Sequence, residues 1–147
     1  MPQGPHSSSA PPLARALGLE PHPEGGWFRE TWRSEQRVTL ADGRLRSTAT
    51  AILFLLPEGT SSRWHLVTSE ELWIHGEGPA LVLELGGSAE AASGGERRVL
   101  GTGSRHGERR HVLVPAGVWQ RTLPAAGDTL VSCIVSPGFD FADFRMP

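Results

Sequence analysis

GTSSRWHLVTSEELWIHGEG, residues 59–78, holds two short strand signals, Arg63 to Val67 and Glu71 to His75, separated by Thr68 and Ser69. Side chains two apart in a strand face the same way. Glu71, Trp73 and His75 therefore share one face, and Leu72 and Ile74 point to the other. Both faces cannot be dry core, because unpaired polar groups are costly there. The face that carries a carboxylate, an indole and an imidazole reads as a pocket wall. His65 lies on the preceding strand, with Val67 beside it on the same face.

Working outward, the chain keeps the same texture. Trp27 to Ser34 alternates, placing Trp27, Arg29, Thr31 and Arg33 on one face. Ala41, Asp42 and Gly43 supply a turn. Thr48 to Leu56 is a continuous apolar run and reads as a buried strand, ended by Pro57 to Gly59. Leu81 to Leu85, Arg97 to Leu100, His111 to Val114, Trp119 to Leu123 and Thr129 to Ser136 complete the strand set. Seven glycines between residues 86 and 108 mark a long hairpin tip around a weak strand. Only Pro12 to Leu19 reads as helix, with Ser9 as candidate cap, Pro11 or Pro12 in the first turn and Gly18 at the exit. Many short strands punctuated by Gly and Pro predict an all-β sandwich or barrel. Residues 1–11, rich in Pro, Ser and Gly, read as a disordered tail, and 12–147 as a single domain.

Composition bounds the chemistry. A chain of 147 residues, 38% hydrophobic and 20% charged, can bury a core without disulfides. Its single cysteine, Cys133, excludes an intrachain disulfide and Cys-rich zinc modules, and its apolar strand suits a core position. A net charge of -2 gives no reason to expect a nucleic-acid partner. No apolar run approaches the ~20 residues of a membrane span. MPQGPHSSSAPP has neither a basic start nor an apolar core, so no secretory signal is read and a cytoplasmic location is expected. Lysine, asparagine and tyrosine are absent, which removes a Schiff-base lysine, a P-loop lysine and a tyrosine acid.

A second polar stretch, HVLVPAGVWQ at 111–120, has a Pro-x-Gly turn followed by Gln120 on the next strand. Together the two stretches resemble the paired motifs of the cupin superfamily: Gly59, His65, Glu71 and Gly78 fall at first-motif places, and Pro115 and Gly117 at second-motif places. The opening segment PHPEGGWFRET at 21–31 and the closing segment SPGFDFADF at 136–144 are similar to those of the fifth cupin family, small single-domain proteins long catalogued as a domain of unknown function. The resemblance runs from about Leu13 to Phe144. It implies a jelly-roll (double-stranded β-helix) barrel with a ligand pocket inside, usually as a homodimer. It implies no settled reaction. Two positions depart from the superfamily pattern: Val67 stands at the second histidine of the first motif, and Gln120 at the second-motif histidine.

Three functional readings follow. The first is an isomerase or epimerase acting on a small polar metabolite such as a sugar nucleotide or keto acid. In it His65 takes a proton beside a carbonyl, Glu71 orients the imidazole, and His75 is the acid. Arg29 would hold an anionic group, with pairing to Glu24 or Glu30 as its alternative. This resembles the deoxysugar-nucleotide epimerases, which also use a tyrosine that this chain lacks. The second is a metal-dependent oxygenase or lyase with a divalent transition metal on His65, Glu71 and Gln120. His75 lies some ~13 Å from Glu71 along the strand, too far to share the ion. The third is a non-catalytic binding module, with Trp73, Trp119 and Phe139 as an apolar box and Glu24, Arg29, His65 and Gln120 reading a polar ligand. Both tryptophans suit packing as well as stacking. No resident cofactor is expected under the first reading.

Overall fold

The computed structural model describes residues 10–147. The tail expectation for residues 1–9 and the Ser9 cap lie outside the described residues. Among the described residues the fold is all-β with one short α-helix, α1 (Pro12–Leu17). Pro12 sits in its first turn, and Gly18 closes it at φ 68° in the left-handed region.

Two antiparallel sheets and a small ribbon follow. The larger sheet contains β1 (Glu20–Pro21), β2 (Trp27–Arg33), β5 (Thr50–Leu56), β7 (Glu70–Glu77), β10 (His111–Val114) and β12 (Thr129–Ser136), in the order β1-β2-β5-β12-β7-β10. The smaller contains β6 (His65–Val67), β8 (Leu81–Gly86), β9 (Glu96–Leu100), β11 (Trp119–Thr122) and β13 (Phe144–Arg145), in the order β13-β6-β11-β8-β9. Among the described residues β3 (Arg37–Thr39) and β4 (Leu45–Ser47) pair only with each other. The strands expected from the sequence are present, with ends shifted by one or two residues.

The main core joins both sheets. Phe54 and Leu56 of β5, Trp73 of β7, Val112 and Val114 of β10, and Val131 and Cys133 of β12 meet Leu81, Leu83 and Leu100 of the smaller sheet. Register explains which residues line up. Thr50, Val135, Glu71 and Val114 form one row across four strands, and Ile52, Cys133, Trp73 and Val112 form the next. Glu71 thus sits at the end of an otherwise apolar interior face.

The continuous apolar run of β5 has a simple cause: both of its faces are covered. Phe54 and Leu56 point into the main core, while Leu53 and Leu55 pack with Ala14, Leu13, Leu17, Leu19 and Trp27 beneath α1. A fully buried Leu side chain contributes about 1.5–3 kcal/mol, so the six-residue helix is held by this packing rather than by its own propensity.

β2 corrects one detail of the sequence reading. Its register slips between Glu30 and Trp32, so Thr31 is a bulge and the expected Trp27–Arg33 face is not continuous. Trp27 joins the outer cluster under α1, and Phe28 turns toward the main core.

Candidate functional site

The turn formed by residues 22–26 brings the polar cluster together. Gly25 N–H donates to the His22 carbonyl, and Arg63 N–H donates to the Glu24 carbonyl at 2.7 Å. Gly25 has φ 106°, and a Cβ there would stand 2.6 Å from the Ser61 carbonyl oxygen. Only glycine allows this approach. Gly25→Ala is therefore expected to destabilise the fold by about 1–3 kcal/mol and to part Glu24 from Ser62. Urea unfolding midpoints check the first effect, and the Glu24 titration followed by carbon NMR checks the second.

Docked in this way, Glu24 reaches three partners. The Ser62 hydroxyl donates to Oε2, His65 Nε2 lies 3.4 Å from Oε2, and His22 Nδ1 lies 3.3 Å from Oε1. Glu24 and Glu71 are each 7% exposed, and His65 is 1% exposed. The His65 Nδ1–H donates to the Arg63 carbonyl at 2.7 Å, which leaves the lone pair on Nε2. Nε2 is buried without a hydrogen-bond partner among the described residues.

A second chain of bonds fixes Glu71. Trp73 Nε1–H donates to Gln120 Oε1 at 2.8 Å, and Gln120 Nε2 donates to Glu71 Oε1 at 2.8 Å. Indole N–H is a donor only. It therefore sets the amide with its oxygen toward Trp73 and its NH2 toward the carboxylate. Cys133 lines the same cavity as Glu71.

Burial dominates the proton affinities. It pushes Glu24 up to about 8, against smaller opposing effects from the Ser62 bond and the Arg63 charge. It pushes Glu71 up to about 7, with His65 and Gln120 pulling the other way. His22 is pushed down to about 4 by burial and by His65. His65 is also held below the usual imidazole range by burial, against the Glu71 charge. Burial and the two carboxylates raise the Cys133 thiol far above its ordinary range, so it is no thiolate nucleophile at neutral pH.

These groups face a cavity of about 30 Å³, walled by Glu24, Glu71, His22 and Cys133 on its polar side and by Phe28 and Phe139 among its apolar residues. That space suits one water or a small reacting head. His65 is not among the walls. It stands behind Glu24, its ring stacked with Phe144 at 5.7 Å. The closing segment is firmly placed. Phe139 N–H donates to Thr50 Oγ1 at 2.9 Å, Arg33 donates to the Phe139 carbonyl at 3.0 Å, and buried Asp143 accepts from Arg46 at 2.8 and 3.0 Å.

Of the residues singled out from the sequence, the structure brings Glu24, Glu71 and Phe139 together at the cavity, with His65 behind Glu24 and with Gln120 and Trp73 behind Glu71. It does not bring the other three there. His75 lies two rows along β7, where its Nε2 bonds the Pro79 carbonyl at 3.1 Å. Arg29 is exposed on the outer face of β2, beside Gly18 at the exit of α1. Trp119 is buried, but its Nε1–H donates to the Ser88 carbonyl at 2.6 Å, and the Arg145 guanidinium lies over its ring. His22, Phe28 and Ser62 belong to the site and were missed. The alternation His22, Pro23, Glu24 was the available signal, since it places two titratable side chains two residues apart.

A divalent metal does not fit these residues. Gln120 has both ends engaged in the core, Glu71 Oε1 is taken by Gln120, and His65 has only Nε2 to offer. No group of three or more His, Cys, Asp or Glu among the described residues is arranged to hold an ion. No helix of the described residues is long and apolar enough to cross a membrane.

The family Cupin_5, described as "Cupin superfamily (DUF985)", matches residues 12–147. A protein from Shewanella oneidensis is similar in structure, with a TM-score of 0.80 and 35% identity over 94% of this chain and 84% of that one. A hypothetical protein from Leishmania major gives a TM-score of 0.80 and 32% identity, covering 92% of this chain and 85% of that one. KdgF from a Halomonas species, at 15% identity and a TM-score of 0.56 over 81% of this chain and 86% of that one, shares the fold alone. A comparison with curated proteins finds none that matches.

Proposed function

This chain belongs to the cupin superfamily, in the family described as DUF985, and we propose that it is an isomerase- or epimerase-like enzyme moving a proton on a small polar metabolite. The observation that supports this reading is the pair of buried carboxylates on one cavity, with Glu24 raised to about 8 and Glu71 to about 7. Unequal proton affinities in a shared site suit one acid and one base near neutral pH. Glu71, with Gln120 donating to it and His65 nearby, is the easier carboxyl to ionise. It takes the proton from a carbon beside a carbonyl. Glu24 gives its proton to the developing enolate oxygen. Glu24 then takes the enol proton back; if Glu24 delivers it to the opposite face of the carbon the centre inverts, and if Glu71 returns its own proton to a neighbouring carbon the carbonyl moves.

In this reading the roles differ from those read from the sequence. His65 acts through Glu24 and Glu71 as a positioning residue, and His75 takes no part. In this reading the sheets form the superfamily's jelly-roll barrel as a single domain over residues 12–147. The ligand is a sugar nucleotide or keto acid, and the protein works as a cytoplasmic homodimer. The metal-dependent oxygenase or lyase alternative lacks a donor set here.

The test is proton exchange. Sugar nucleotides and 2-keto acids incubated with the protein in deuterium oxide are followed by proton NMR. Loss of one carbon-bound proton signal, faster with wild-type protein than with Glu71→Gln, is the expected result. Ligand binding without exchange in any compound would leave the non-catalytic binding role instead.

A further inference from the structure

The inner cavity is too small to hold a whole metabolite, and it does not stand alone. A hollow of about 400 Å³ shares Phe28, Ile52 and Phe139 with it, so these residues are the partition between the two. A third hollow of about 480 Å³ shares Arg33 and Asp140 with the second. The three form one line from the buried carboxylates, past aromatic walls that include Phe141, to a polar outer end between β2 and the β3–β4 ribbon.

The outer end carries three guanidiniums, Arg33, Arg37 and Arg46, against two carboxylates, Glu35 and Asp140. Their engagements differ. Arg46 is committed to buried Asp143. Arg33 holds Glu30 through two bonds, at 2.6 and 3.2 Å, and the Phe139 carbonyl at 3.0 Å. That ion pair is exposed on both sides, so it yields readily to a competing anion. Arg37 makes no ion pair among the described residues. Two guanidiniums are thus free, or easily freed, to grip a planar or tetrahedral oxyanion through paired N–H donors.

We propose that Arg33 and Arg37 form an anion subsite at the outer end of this line, for a metabolite whose phosphate or carboxylate group lies remote from its reacting carbon. The inference rests on the proton-transfer reading of the inner cavity and supplies its substrate class. It also gives Arg33 a second task. Arg33 walls the middle hollow and holds the carbonyl of Phe139, the partition residue. An anion that draws Arg33 away loosens that hold, so binding of the tail eases entry of the head.

The probes are inorganic pyrophosphate and succinate, one for each anion chemistry, titrated into the full chain and followed by nitrogen–proton NMR. The expected result is a saturable shift of the Arg33 and Arg37 Nε–H signals and of the Phe139 amide with at least one probe. Arg37→Ala should weaken that binding by about tenfold. Arg105→Ala, on an exposed 3-10 turn elsewhere, should leave it unchanged. Absence of saturation with both probes, equal affinity in Arg37→Ala, or equal loss in Arg105→Ala would each overturn the subsite. Glu71→Gln should bind the probes like wild type, so a protein that binds anions but fails the exchange test separates failure of the chemistry from failure of the subsite.

Discussion

Glu71→Gln should slow substrate proton exchange by about 10²- to 10⁴-fold, the range lost when a positioned acid or base is removed. The substitution is close to isosteric. An amide oxygen at position 71 can still accept from Gln120, so the hydrogen bonds that hold the cavity wall survive. What disappears is the carboxylate that ionises near pH 7 while Glu24 still holds its proton. The pH profile carries the sharper test. Glu71 must be ionised, so the rate climbs through about pH 7; Glu24 must be protonated, so it falls through about pH 8. The profile is a narrow bell. His65 is held below the usual imidazole range and is neutral where Glu71 ionises, so His65→Asn leaves both limbs of the bell in place and lowers its height by loosening Glu24. A His65→Asn protein with no residual exchange at any pH would instead make His65 the base. Glu71→Gln exchanging at the wild-type rate would remove the mechanism altogether.

Raising the pH from 6.5 to 8.5 should destabilise the wild-type fold by on the order of 2–3 kcal/mol. Glu24 and Glu71 have their proton affinities raised from 4.5 to about 8 and about 7 on folding. Such groups contribute fully below the unfolded value and lose that contribution as the pH passes the folded one. His22 works in the opposite sense. Lowered from 6.5 to about 4, it adds stability as the pH rises between those values, and His65 shares its direction. Between pH 4.5 and 6.5 the carboxylates and imidazoles oppose each other. Above 6.5 the unfolded imidazoles are already neutral, and only the carboxylates count. Linkage gives about 1.4 kcal/mol per pH unit for each proton retained by the folded state. Two are retained to about pH 7 and one to about pH 8. Urea midpoints at pH 6.5, 7.5 and 8.5 measure the fall. The Glu24→Gln, Glu71→Gln double variant should be flat over that window. A wild-type curve equally flat would mean that both carboxylates are ionised in the folded protein.

The longer strands were legible because alternation, turn residues and short apolar runs are local properties of the chain, whereas the two- and three-residue strands β1, β3, β4 and β13 are too short to carry such a pattern. The same local rule left the faces of β2 unresolved. Alternation separates Trp27 and Arg29 from Phe28, but it does not say which side is inside. α1 decides that by covering Trp27, and the bulge at Thr31 ends the pattern. The first-motif spacing placed His65 and Glu71 near each other. It could not supply Glu24, some 40 residues upstream, as the group that His65 faces, because a tight glycine turn docking on Ser61–Arg63 is a tertiary event. Gln120 was read as a weak ligand. Its actual partners, Trp73 and Glu71, lie on the opposite sheet, and only the packing of one sheet on the other reveals them.

The bonds running from Glu71 through Gln120 end on the indole of Trp73. A change of charge on the acid is thereby delivered to a chromophore in the dry interior, 1% exposed and screened from solvent effects. The protein carries its own gauge of the buried carboxylate. The indole N–H resonance of Trp73, resolved from those of the four other tryptophans, and its emission colour both read the ionisation of Glu71 without a label, a substrate or a turnover.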